Sequence, residues 1–183
     1  MARVVGLPTS LAAAVASIGG DETLIAGTGE HRVAPFLELT QADWEGTIAG
    51  IREAFLSARE TARDLQAADR PGRLIFISSA TAIRPVHGAA LAATAGAFFH
   101  TFAQVAAVEM GERGVTANVV APGFIGDDRF VAATPVGRAP SPEDIADVCS
   151  FLVSKQAGYV TGAVIPVDGG FSISKSAGGS PLV

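Results

Sequence analysis

The chain has 183 residues, enough for one domain with a sizeable core. Hydrophobic residues make up 49% and charged residues 17%, with a formal net charge of −5. That balance leaves no basic footprint for nucleic acid or an anionic membrane. A chain this apolar is expected to hide part of its surface against partner subunits. The single cysteine, Cys149, excludes an intramolecular disulfide, and no Cys/His cluster has metal-ligand spacing, so no metal is expected. The most apolar stretch, Ala89 to Phe99, reads as too short and Ala-rich to span a bilayer. The start lacks the hydrophobic core of a signal peptide, and a cytoplasmic location is expected.

Arg3-Val4-Val5 reads as a short strand closed by Gly6 and Pro8. Thr9 or Ser10 is expected to cap a small helix running to about Ile18, with Gly19-Gly20 as its stop. Thr23-Leu24-Ile25-Ala26 reads as a buried strand. In the long helix that follows, Trp44, Ile48, Ile51, Phe55, Ala58, Ala62 and Leu65 recur at helical spacing and predict its apolar face. Pro71-Gly72 ends it. Arg73 to Ile77 is a strand apolar on both faces, as central parallel strands are.

The next helix, about Ala89 to Gly111, is apolar nearly all round and needs cover on both sides. Val115 to Val120 is the next strand. A helix from Pro142 to about Ser154 starts Ser-Pro-Glu-Asp, with proline in the first turn and acids suited to the helix dipole. Ala163 to Val167 is the last strand, and residues 172–183 read as a flexible tail. The alternation predicts an α/β fold: a truncated, Rossmann-like, doubly wound parallel sheet of about five strands. No linker divides the chain, so residues 1–183 read as one domain.

From about Leu24 to Phe171 the order of segments resembles the short-chain dehydrogenase/reductase family. The resemblance is carried by Gly72-Arg73-Leu74-Ile75-Phe76-Ile77-Ser78-Ser79 and by the run from Ala107 through Gly123. Ser141-Pro142-Glu143-Asp144-Ile145-Ala146, Tyr159-Val160-Thr161-Gly162 and Val167-Asp168-Gly169-Gly170 follow in order. It implies catalysis by a Tyr four residues before a Lys on one helix, with a Ser thirteen residues before the Tyr. General acid–base work needs a titratable group with a tuned pKa at that point.

Counting back from Glu109 puts Gly96 at the Lys position and Ala92 at the Tyr position. Ser79, thirteen residues earlier, is retained at the Ser position. The only Tyr is Tyr159, and no Lys precedes Lys155. The catalytic set is therefore expected to be absent. The family's helix Asn falls near Ile51 or Arg52, and neither is Asn. No cofactor-binding set is expected either. The turn Gly6-Leu7-Pro8-Thr9-Ser10 holds one glycine, where the family uses a Gly-rich turn at a helix N-terminus. Fewer than twenty residues separate that turn from Leu24, so the chain reads as N-terminally shortened, with the nucleotide-binding half largely deleted. Ala26-Gly27-Thr28-Gly29 replaces the family's Asn-Asn-Ala-Gly. Gly27 and Gly29 read as a plain turn, and no Thr is evident after Pro122-Gly123, where Gly126-Asp127-Asp128 follows.

Ser79 is expected to satisfy backbone groups. His87 and His100 read as structural, His31 beside Glu30 as solvated, and Asp127-Asp128 as solvent-facing. These readings lead to a non-catalytic subunit that associates with, and supports, an active NAD(P)-dependent enzyme of the same family, or else self-associates. The resemblance implies contacts through the two long helices or the last helix and strand. The alternatives are an enzyme with rebuilt non-redox chemistry using Ser79, His87 or Asp127, and a binding module for a small ligand or acyl thioester.

Overall fold

The computed structural model describes residues 1–174. Five parallel strands form one sheet in the order β1-β2-β3-β4-β5, as Arg3–Val5, Thr23–Ala26, Gly72–Ile77, Val115–Pro122 and Val164–Val167. Helix α1 (Thr9–Val15) joins β1 to β2, α2 (Gln41–Ala67) joins β2 to β3, α3 (Ala90–Met110) joins β3 to β4, and α4 (Pro142–Val153) joins β4 to β5.

Side chains alternate across the strands, which gives two apolar layers. Leu24, Ala26, Leu74, Phe76, Val115, Ala117 and Val119 face α2 and α3. Ile25, Ile75, Ile77 and Val120 face α1 and α4, where Leu11 and Val15 meet Ile145, Cys149 and Leu152. Each strand is adjacent in the sheet to the next in sequence, so every connection steps in the same direction. With helices on both faces, the α1 and α4 crossovers have the opposite hand to those of α2 and α3. Such crossovers are right-handed in nearly all proteins, so this arrangement is uncommon.

Several local expectations are corrected. Neither Thr9 nor Ser10 caps α1: both lie inside it, Pro8 occupies the cap position, and the helix ends at Val15. The caps that do form are Thr40 on α2 and Ser141 on α4, each in a reciprocal capping box with Asp43 or Asp144. The buried face of α2 is Thr47, Ala54, Ser57, Ala58, Thr61 and Leu65. Of the expected face, Ala58 and Leu65 are buried, whereas Trp44 and Ile48 point outward, 47% and 40% exposed, and Phe55 is 39% exposed with its ring against Phe102. Small side chains let the helix lie close on the sheet, so the larger apolar stripe turns away.

Helix α3 is apolar on both sides, as expected. Phe99 is buried on the sheet while Val105 and Val108 are exposed. With the turn that follows it, Ala90–Arg113 is long and apolar enough to cross a membrane by length and composition alone. That corrects the short-stretch reading; the helix nevertheless packs its Leu91–Ala107 face on the sheet. Ser172 donates its backbone N–H to Asp168, and Ser174 donates its hydroxyl to the Ala133 carbonyl. The rest of the tail read as mobile lies outside the described residues.

Candidate active site

A cavity of about 200 Å³ opens at the carboxyl ends of β1 to β4. Here the chain leaves β1 toward one face of the sheet and β2 toward the other. In open α/β sheets ligands bind in the crevice at such a switch point. Its mouth is the pair of turns Gly6-Leu7-Pro8 and Gly27-Thr28-Gly29. Gly6 has φ +58°, and Gly29 has φ +85° with open space where a Cβ would stand, so backbone is presented there directly.

Ser79, Ala92 and Gly96 all line this cavity, so the three positions counted along the sequence do meet in space. Ser79 Oγ accepts the Thr81 N–H at 3.1 Å and lies 2.8 Å from Thr81 Oγ1. When Thr81 supplies the proton of that second contact, the Ser79 hydroxyl is left free to donate into the cavity. Gly96 has a packing reason: a Cβ there would stand 2.7 Å from Ser78 Oγ. Ser78 Oγ in turn lies 3.0 Å from His100 Nε2.

The residue that sequence reasoning misplaced is His31. It is half-buried, lines the cavity, and is gripped from both ring nitrogens. Its Nε2 lies 2.9 Å from Thr28 Oγ1 and its Nδ1 3.3 Å from Thr47 Oγ1. Burial pushes its pKa below the ordinary imidazole value, which favours the neutral ring at neutral pH. The signal lay in Thr28-x-x-His31, with Thr47 two turns past the Thr40 cap, but only the fold brings α2 against that loop. Burial likewise lowers the pKa of His100.

The remaining candidates lie elsewhere. His87 is exposed, Ile51 and Arg52 do not line the cavity, and Tyr159 is fully exposed. Asp127 caps a short 3₁₀ turn and pairs with Arg129 at 2.7 Å; that hydrogen-bonded guanidinium lowers its pKa. Among the described residues no group of three or more His, Cys, Asp or Glu side chains is placed to hold a metal ion.

Fold and crevice define an open parallel α/β protein with a cavity at the switch point. The family model described as "Enoyl-(Acyl carrier protein) reductase" matches residues 8–172. The chain belongs to the short-chain dehydrogenase/reductase family. It is 32% identical over 164 residues to acetoacetyl-CoA reductase of Cupriavidus necator, covering 84% of this chain and 67% of that protein. It is 35% identical over 167 residues to the 3-oxoacyl-[acyl-carrier-protein] reductase MabA of Mycobacterium tuberculosis, covering 85% and 67%. Acetoin dehydrogenase from Enterobacter cloacae superposes with a TM-score of 0.75 at 27% identity, over 86% of this chain and 66% of that one. The chain thus spans about two-thirds of the length of these relatives.

These relatives overturn the expectation of a non-catalytic companion subunit, together with its non-redox and binding-module alternatives. They are named as reductases and dehydrogenases in their own right. A missing phenol and ammonium are not by themselves missing chemistry, because folding brings other side chains, His31 among them, to the crevice.

Proposed function

We propose that this chain is an oxidoreductase that interconverts the 3-oxo and 3-hydroxy forms of a short acyl thioester, using a nicotinamide dinucleotide. The observation that carries this reading is the switch-point cavity with Ser79 on its wall. The names of the relatives supply the substrate class. A third of them, (3R)-3-hydroxyacyl-CoA dehydrogenase of Rattus norvegicus, is 33% identical over 175 residues and is named for the reverse direction.

What supports a dinucleotide here is the open space and bare backbone at Gly29 on the cavity wall. The residues that would hold the group are the Gly6–Pro8 and Gly27–Gly29 turns. When bound, it supplies or accepts a hydride. The chain's own residues do the rest. The Ser79 hydroxyl orients the substrate oxygen, and the apolar walls formed by Leu7, Leu11, Ile77 and Ile125 exclude water.

We read Ala92 and Gly96 as standing at the family's Tyr and Lys positions, so proton transfer falls to other groups. The short β1-to-β2 connection is read as a shortened nucleotide-binding half within one domain. A cytoplasmic location is retained. The outer faces of α2 and α3, with Trp44, Ile48 and Val108 exposed, are read as meeting a second copy of this chain.

The test is to mix the purified protein with acetoacetyl-CoA and NADPH or NADH, and 3-hydroxybutyryl-CoA with NADP⁺ or NAD⁺, while following nicotinamide absorbance. Turnover that falls on replacing Ser79 with Ala is expected. Absence of turnover in both directions with both cofactors refutes the reading.

A further inference from the structure

We propose that Thr28 and His31 form the proton-transfer pair of this site, with Thr47 as the residue that positions the imidazole. The inference rests on the oxidoreductase reading above and supplies the acid–base group that Ala92 and Gly96 do not.

The argument follows the protons. Thr47 Oγ1 donates to the Asp43 carbonyl one turn earlier in α2, at 3.0 Å. A threonine hydroxyl has a single proton, so toward His31 Thr47 can only accept. That places the ring proton on Nδ1 and leaves Nε2 as an acceptor. The Thr28 hydroxyl, 2.9 Å away, therefore donates to Nε2. The result is one directed chain: Thr28 to His31 to Thr47 to a backbone carbonyl. A hydroxyl, a base, and a third group that orients the base is the arrangement that activates an oxygen.

Its placement fits the role. Thr28 and His31 both line the cavity, on the same site as Ser79. The backbone of Thr28 is held hard against α2 at Gly50, where a Cβ would lie 2.9 Å from the Thr28 carbonyl carbon. The helix that carries Thr47 therefore also fixes Thr28, and the pair is rigid relative to its orienting group. Burial lowers the His31 pKa, which favours the neutral ring that a base needs. Ser78 and His100 make a similar contact, but His100 is not on the cavity wall.

In the oxidative direction the substrate O–H bond breaks and its proton moves to Thr28 Oγ1. The proton already on Thr28 passes to His31 Nε2, leaving an imidazolium whose Nδ1–H still points at Thr47. As the carbonyl forms, the hydride of the carbinol carbon would be taken up by the oxidised nicotinamide dinucleotide that the Gly6–Pro8 and Gly27–Gly29 turns would hold. Reduction reverses each movement.

The experiment has two readouts. First, ¹⁵N NMR of the histidine rings of the whole chain reports the tautomer without turnover. His31, assigned by its loss in H31N, is expected as the Nδ1–H form, and T47V is expected to mix the forms. An Nε2–H tautomer in the unaltered protein overturns the inference whatever the activity. Second, 3-hydroxybutyryl-CoA oxidation is measured for T28V, H31N and T47V beside H87N, which alters an exposed histidine outside the site. T28V and H31N are expected to lose about 100-fold or more in kcat with KM within a few-fold, while H87N is unchanged. Turnover in the unaltered protein that T28V leaves intact overturns the inference alone. No turnover in the unaltered protein removes the function reading and the inference together. If T28V or H31N fails to fold, by circular dichroism, T28A or H31Q takes its place with the same expected loss, while T28S is expected to retain activity because it keeps the hydroxyl.

Discussion

Gly46 and Gly50 occupy neighbouring turns of α2, and replacing each with alanine isolates what the Thr28 contact costs and contributes. Gly46 is exposed and a Cβ there meets nothing within 4 Å, so G46A gains only helix propensity, about 1 kcal/mol. At Gly50 the same methyl group would stand 2.9 Å from the Thr28 carbonyl carbon and 3.2 Å from its Cα, with the carbonyl oxygen closer still. Carbon–carbon contacts settle near 3.5–4.0 Å, so backbone must move by roughly half an ångström or more, on the order of 1 Å at the oxygen. Forced overpacking costs about 1–3 kcal/mol, and backbone on both sides puts this case in the upper half of that range. Set against the propensity gain, G50A is expected to lose about 1–2 kcal/mol. For a chain of this size each kcal/mol moves Tm by roughly 2–4 °C. Thermal and urea denaturation should therefore give a higher Tm for G46A and a lower one for G50A, about 2–3 kcal/mol apart. Equal gains for both variants would refute the close approach, and with it the rigid placement of Thr28.

Other perturbations probe the layers around the site. Phe76 is fully buried, stacked on Phe99 with ring centroids 5.1 Å apart. F76A should cost about 3–5 kcal/mol in urea denaturation, whereas Y159A, at a fully exposed ring, should stay within about 0.5 kcal/mol. Burial pushes the Cys149 thiol up to about 12, so a thiol reagent at neutral pH should label the folded protein far more slowly than the urea-unfolded chain. Fast labelling of folded protein would contradict the packing of α4. Hydrogen bonds from the Thr40 side chain, its backbone and Arg32 hold Asp43 at about 2, and Arg138 with Ser141 holds Asp144 low as well. Both folded values lie below the ordinary 3.8, so their contribution is present above about pH 4 and is lost as pH falls toward 2. Acid denaturation of T40A and S141A should show a shallower loss across that window than the unaltered chain.

Strands β2 and β3 were legible because Leu24–Ala26 and Leu74–Ile77 are short apolar runs between turn residues and leave no polar face to misread. The face of α2 was not. Trp44, Ile48 and Phe55 have the right period, yet a helix lying close to a sheet is chosen by its small residues, and Thr47, Ser57 and Thr61 carry no hydrophobic signal. The cap of α2 was missed for the same reason, since Thr40 and Asp43 precede the apolar run. In the site, Ser79, Ala92 and Gly96, the positions counted along the sequence, line one cavity. His31 reads as solvated in the sequence because its partners come from a loop and from a helix sixteen residues on, joined only by folding.

Helices α1 and α4 share one face of the sheet, although they come from opposite ends of the sequence, and α1 is only seven residues long. So short a helix has little stability without its neighbour. Release of one should uncover Leu11, Val15, Ile145 and Leu152 at once, so this side of the molecule is expected to open cooperatively in native-state hydrogen exchange. Leu11 belongs to both this layer and the cavity wall. Occupancy of the crevice should therefore slow amide exchange at the far terminus as well as near the ligand.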